Sequence, residues 1–156
     1  LGNAAATLVG QNLGAALPER AEQSVWTASR YNVIFMTVAC LFFVAFAPGI
    51  VALFTDDPEI QRYGVSCLRI LGIGFPMYAV GMIVIQAQNG AGDTRTPTIL
   101  NFICFWLTQI PLAYWLATSA GFGPNGVFLA IVISESILTI LGVLVFRRGG
   151  WRMQEV

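Results

Sequence analysis

Four apolar runs, residues 33–54, 65–85, 99–117 and 127–146, follow one another with only short polar interruptions. An α-helix rises about 1.5 Å per residue and a bilayer's hydrocarbon core is about 30 Å thick, so about 20 apolar residues cross it. Each run meets that requirement. Hydrophobic residues make up 56% of the 156 and charged residues 10%, whereas soluble domains are near a quarter charged. The expected fold class is an all-α polytopic transmembrane helix bundle with four complete spans. A fifth stretch, residues 4–16, is too short and too rich in Gly, Asn and Gln to span alone. With Leu1 in place of Met, it reads as the inner end of a helix that begins upstream.

Net charge is +0, so topology must be read from where the charges fall. Arg and Lys in short loops are retained on the cytoplasmic side. Arg20 and Arg30 precede the first span, Arg95 lies between the second and third, and Arg147, Arg148 and Arg152 follow the fourth. Alternating spans put all of these on one side. The opposite loops are acidic at 55–61 and uncharged at 118–126, with Arg62 the one dissenter beside Asp56, Asp57 and Glu59. The expected arrangement is a multi-pass protein of the inner (plasma) membrane with a cytoplasmic C-terminus.

Cys40, Cys67 and Cys104 each stand alone inside an apolar run, which argues for small buried packing residues and against a disulfide or metal site. The chain contains no His and no Lys. That removes His-based acid–base catalysis, Schiff-base chemistry and most zinc sites. No nucleophile elbow, phosphate loop or basic nucleic-acid surface is visible. No enzyme, no cofactor, no metal and no nucleic-acid partner are expected; the expected surroundings are membrane lipid.

Local signals mark helix ends. Asp57-Pro58-Glu59 supplies a capping side chain, a first-turn proline and an acid at the positive end of the helix dipole, and Thr96-Pro97 is expected to repeat that arrangement for the third span. Pro18 followed by Glu19-Arg20-Ala21-Glu22 opens an amphipathic stretch, with Val25 and Trp26, that runs along the interface into the first span. Trp26, Tyr31, Tyr63, Tyr78, Trp115 and Trp151 include several at span edges, as interfacial belts require. Trp106 is too deep for a belt and is expected to pack between helices. Pro48, Pro76 and Pro111 each delete a backbone hydrogen bond inside a span. Together with Gly72, Gly74 and Gly81 they are hinge candidates, or else close-packing positions.

Glu135 is the one acid deep in a span, and ionisable groups at that depth cost at least about 2.5 kcal/mol and mark a site by default. It is a candidate cation- or substrate-binding residue, or else a structural Glu joining two helices. Gln109 lies nine residues before Thr118 and Glu135 nine after Gly126, so at about 1.5 Å per residue both fall about 13 to 14 Å below the outer loop. A hydrogen-bonded pair is expected. Arg69, near the outer end of its span, is expected to snorkel to the interface.

Four strings carry a family resemblance: Leu8-Val9-Gly10-Gln11-Asn12-Leu13-Gly14-Ala15, Phe54-Thr55-Asp56-Asp57-Pro58, Asn89-Gly90-Ala91-Gly92-Asp93-Thr94-Arg95-Thr96-Pro97 and Gln109-Ile110-Pro111-Leu112-Ala113. In order and spacing they resemble the C-terminal part of a multidrug and toxic compound extrusion (MATE) transporter. The resemblance implies a twelve-helix antiporter of two six-helix lobes, exporting small cationic or amphipathic substrates in exchange for sodium ions or protons. Residues 1–156 would be part of the C-terminal lobe, from the end of the eighth helix through the twelfth, with the N-terminal lobe supplied by the rest of the same protein. Family members bind the coupling cation at acids in the first helix, or in the seventh and tenth. The span that would be the tenth, residues 65–85, holds no Asp or Glu and departs from members with an acid there. The same architecture serves lipid-linked precursor flippases and polysaccharide exporters, and a non-transporting membrane fragment is a third reading.

Overall fold

The sharpest local instruction, Asp57-Pro58-Glu59, starts a helix as it reads. Asp57 Oδ1 accepts from the backbone N–H of Glu59 at 2.8 Å and of Ile60 at 3.2 Å, satisfying two of the donors that a helix start leaves unpaired. The computed structural model describes residues 1–153, and among these every regular element is helical. The helices are α1 (Gly2–Gly14), α2 (Pro18–Ala52), α3 (Pro58–Gly90), α4 (Arg95–Ser119) and α5 (Pro124–Arg147), followed by a 3-10 turn at Gly150–Met153. Helices α2 to α5 are each long and apolar enough to cross a membrane. The side chain of Arg152, part of the arginine count above, lies outside the described ones.

The helices outrun the apolar runs that announced them. Hydropathy marks only the greasy middle, whereas a helix continues through polar turns until a cap or a turn ends it. The stretch from Pro18 thus passes without a break into the first span. At 35 residues α2 is about 52 Å long, well over the thickness of hydrocarbon. The start of α4 also departs from expectation. Asp93 Oδ1, not the Thr96 hydroxyl, provides the cap by accepting from Thr96 N at 3.0 Å, because a carboxylate is the stronger acceptor at a positive helix end. The preceding turn needs Gly92, whose φ of 84° only glycine adopts freely.

Helix α4 is not uniformly α. Wide π turns occupy Phe102–Gln109 and Trp115–Ser119, with one α stretch, Ile110–Tyr114, between them. In an α-helix the Pro111 ring would crowd the carbonyl four residues back and leave it unpaired. A wider i to i−5 turn just before the proline relieves that crowding, and such turns are a recognised cause of helix irregularity. Thr108 Oγ1 follows the same register, donating to Ile103 O at 3.2 Å. The π turns also rotate Trp106 outward. It is 64% exposed and stacks on Phe102 with ring centroids 6.4 Å apart, so it does not pack between the described helices as expected.

Pro48 has a visible consequence. Its missing N–H frees the carbonyl of Val44, and Arg69 Nε of α3 donates to that oxygen at 3.3 Å. Arg69 is exposed, as snorkelling requires, yet it also joins α2 to α3. Four further bonds from side chains to backbone oxygens tie helices together: Asn32 Nδ2 to Ala79 O at 2.9 Å, Thr139 Oγ1 to Met77 O at 3.1 Å, Ser134 Oγ to Cys104 O at 2.6 Å and Gln88 Nε2 to Gly142 O at 3.4 Å. In lipid each bond of this kind is worth about 0.6 kcal/mol, rising to about 1.7.

Between these bonds, packing relies on small residues. One core at the arginine-rich end gathers Ala5, Val9, Ala21, Val25, Ile83, Ala87, Phe146 and Trp151, and a smaller one joins Leu100, Cys104 and Leu138 of α4 and α5. Cys104 is buried and Cys40 and Cys67 are half-buried, all as free thiols. Gly72 meets Phe43 and Val44 of α2, Gly74 meets Val132 of α5, and Gly81 meets Thr139 of α5. The glycines around Pro76 therefore sit at helix crossings, where a missing Cβ lets backbones approach.

Gly126 offers the clearest test of that packing. A Cβ there would lie 2.6 to 2.8 Å from the backbone of Leu116 and Ala117, whereas one at Gly49 would meet nothing within 4 Å. Gly126→Ala is expected to destabilise the full-length protein in detergent by about 1–3 kcal/mol. Gly49→Ala should be neutral or stabilising by up to about 1 kcal/mol through helix propensity. Thermal unfolding followed by size-exclusion chromatography distinguishes them.

Candidate functional site

Glu135 occupies the middle of the 24-residue helix α5, one turn from residues that pack on α3 and one from residues that pack on α4. Val132 and Thr139 meet α3 at Gly74 and Gly81. Ser134 bonds to α4 at Cys104. Glu135 lies between these contacts and lines two grooves. The first, about 220 Å³, is walled by Leu71, Gly74, Phe75, Tyr78, Ile131 and Val132. The second, about 290 Å³, runs past Tyr78, Gly81, Met82, Gln86, Asn101 and Phe105. Tyr78 belongs to both, and Glu135 is the sole charged side chain lining either.

Gln109 is not its partner. No hydrogen bond joins the two among the described residues, and the Gln109 amide oxygen is buried without any. The register explains why. The contacts of Cys104 with Ser134 and of Leu116 with Gly126 fix how α4 lies along α5, and by interpolation Gln109 falls opposite residues 130–131. That is about one helical turn, ~5 Å, from the level of Glu135. Counting at a uniform 1.5 Å per residue misplaced it because α4 contains π turns, in which a given number of residues covers less length.

The other polar lining is partly committed elsewhere. Gln86 Nε2 donates to Asn3 Oδ1 at 3.2 Å, and its Oε1 accepts from Asn89 Nδ2 at 3.0 Å. No hydrogen bond engages the Asn101 side chain among the described residues. Sequence reasoning missed Asn101 and noted Tyr78 only as an interfacial aromatic. The available signal was the rule that already singled out Glu135: a polar group within a span needs a reason to be there. Among the described residues no cluster of His, Cys, Asp or Glu could hold a metal ion. Chemically the site offers one carboxylate flanked by Phe75, Tyr78 and Phe105. It suits a cation that is apolar elsewhere, through charge attraction and ring-face contact.

Comparison with known proteins agrees with this architecture. The MatE family profile matches residues 1–115. Probable multidrug resistance protein NorM of Mannheimia succiniciproducens is 30% identical over 152 residues, covering 95% of this chain and 32% of its own length. Multidrug resistance protein MdtK of Photorhabdus laumondii is 26% identical over 151 residues, covering 94% of this chain and 32% of its own. A solved structure, the inward-facing conformation of a multidrug resistance MATE family transporter of the MOP superfamily, superposes with a TM-score of 0.88 at 23% identity. It covers 99% of this chain and 36% of the solved one. The chain thus spans about a third of the length of the relatives it matches, and it belongs to the MATE transporter family.

Proposed function

We propose that this chain is part of the C-terminal lobe of a secondary antiporter that exports cationic or amphipathic compounds in exchange for sodium ions or protons. The observation that carries the reading is Glu135: a single carboxylate at the middle of a membrane-spanning helix, facing two apolar, aromatic-lined grooves. At about 220 and 290 Å³ the grooves fall short of the roughly 300–1,000 Å³ of a complete small-molecule site. This lobe supplies one wall, and the N-terminal lobe of the same protein supplies the other. Binding at the midplane between two bodies that rock about it is how alternating access works. Glu135 holds the substrate's positive charge or the coupling cation, which then compete for it. Gln109 lies one turn toward the opposite mouth with an unpaired amide oxygen and serves as a further polar contact along the path. Pro48, Pro76 and Pro111, with Gly72 and Gly74, provide the bend points. A flippase for phosphate-bearing lipids would want cations in the same grooves, and no Arg lines either one.

Transport by the full-length parent tests the reading. Because Glu135 makes no hydrogen bond or ion pair among the described residues, both Glu135→Gln and Glu135→Leu are expected to fold like the wild type. Both should lower drug efflux at least about tenfold, the equivalent of 1.4 kcal/mol. Efflux at the wild-type rate from Glu135→Gln, with sodium and pH varied separately, would remove the binding role. Orientation is checked independently. In a background lacking Cys40, Cys67 and Cys104, an impermeant thiol reagent applied to intact cells should label cysteines placed at Asp57 and Gly123 but not at Asp93 or Arg148. Labelling at Arg148 would reverse the proposed cytoplasmic C-terminus.

A further inference from the structure

A separate groove of about 720 Å³, sharing no lining residue with the two at Glu135, opens between α2, α3 and α5, lined by Trp26, Ser29, Arg30, Ile34, Val80 and Arg147 among others. Its cationic head is held in place. The Arg147 guanidinium lies over the Trp26 ring, 5.6 Å from the centroid. That ring is fixed in turn by Trp26 Nε1 donating to Glu22 Oε1 at 3.2 Å and by an edge-to-face contact with Phe146 at 5.9 Å. Neither Arg30 nor Arg147 has a carboxylate partner among the described residues. Ser29 is only 4% exposed, and its hydroxyl has no hydrogen-bond partner, an expensive state for a buried polar group.

The groove opens beside an exposed apolar helix face. Ile34, on its rim, belongs to an α2 face that also exposes Tyr31, Phe35, Val38, Leu41 and Phe42, a helical spacing of large apolar groups that suits an acyl chain. Arg147 ends α5, and Arg30 lies within α2 just before the apolar run that begins at residue 33, the level at which a headgroup lies. Two guanidinium groups, one of them held over Trp26, an unsatisfied hydroxyl and an apolar floor together complement a phosphodiester with an acyl chain attached. Basic pockets between spanning helices bind anionic headgroups for this reason. We propose that this groove binds an anionic phospholipid, with its phosphate between Arg30 and Arg147, the Ser29 hydroxyl as third donor and an acyl chain along Ile34 and Val80. A zwitterionic lipid is the poorer ligand because its own ammonium competes for the phosphate charge.

The experiment uses the purified full-length parent and reads lipid retention by native mass spectrometry, with dioleoylphosphatidylglycerol and dioleoylphosphatidylcholine as probes. The wild type should retain phosphatidylglycerol in preference to phosphatidylcholine. The double variant Arg30→Gln/Arg147→Gln should weaken phosphatidylglycerol retention about thirtyfold, the product of two headgroup contacts. Arg148→Gln, next in sequence but outside the groove, should leave retention unchanged. Arg30 is exposed and makes no side-chain hydrogen bond, so Arg30→Gln alone keeps the test available if the double variant misfolds, and should weaken retention about fivefold. Equal retention of the two lipids, or an undiminished signal in Arg30→Gln or the double variant, overturns the proposal. A thermal stabilisation by inorganic phosphate alone that matches the lipid's would make this a free-anion site and overturn the lipid assignment.

Discussion

Hydrocarbon offers no hydrogen bonds, so departures from a plain α-helix need answering by the groups around them, and two of the three prolines inside the spans are visibly answered. At Pro48 the freed Val44 carbonyl is taken by Arg69. Before Pro111 the chain widens into π turns instead of leaving a crowded, unpaired carbonyl. At the helix starts Asp57 and Asp93 collect the exposed donors. The same demand places Asn32, Ser134 and Thr139 against backbone oxygens of neighbouring helices. Those bonds, more than bulky side-chain interdigitation, fix the register of α2 on α3 and of α5 on α3 and α4.

Register then decides which side chains meet. Parallel packing of α3 and α5, set by Gly74 on Val132 and Gly81 on Thr139, brings Tyr78 level with Glu135. The antiparallel fit of α4 on α5 brings Cys104 and Phe105 to that level and leaves Gln109 a turn away. Two distinct faces follow. Between α3, α4 and α5 the bundle presents grooves with one carboxylate. Along α2 it presents an unbroken apolar face that ends in Arg30.

Features that depend on a few adjacent residues were legible in the sequence. Span number, the Asp57 cap, the free cysteines and the isolation of Glu135 all follow from local pattern. Features that depend on helix pitch were not. The expected Gln109–Glu135 pair and the interior place of Trp106 both assumed a uniform α-helix from 99 to 117, and the π turns shift one along the axis and rotate the other outward. No residue-by-residue pattern announces a π turn. Pro111 is the available warning, and here it signals a change of pitch as well as a bend. The Thr96 cap failed for a different reason: two caps competed within four residues, and the carboxylate outranked the hydroxyl.

Charge inside the membrane is scarce here, and that scarcity gives Glu135 its weight. Only Arg69 and Glu135 carry charge within the four apolar runs. Arg69 has structural work: its Nε satisfies the carbonyl that Pro48 exposes, so replacing it would leave Val44 O unpaired in lipid. Glu135 makes no hydrogen bond or ion pair among the described residues, while Ser134 and Thr139 beside it supply the helix-joining bonds that a structural Glu would otherwise provide. A structural account thus removes one of the two charges from consideration and leaves the other unexplained by folding. An ionisable group that costs kilocalories to place at mid-membrane, bonds to none of the described residues and faces open grooves is what the proposed binding role accounts for.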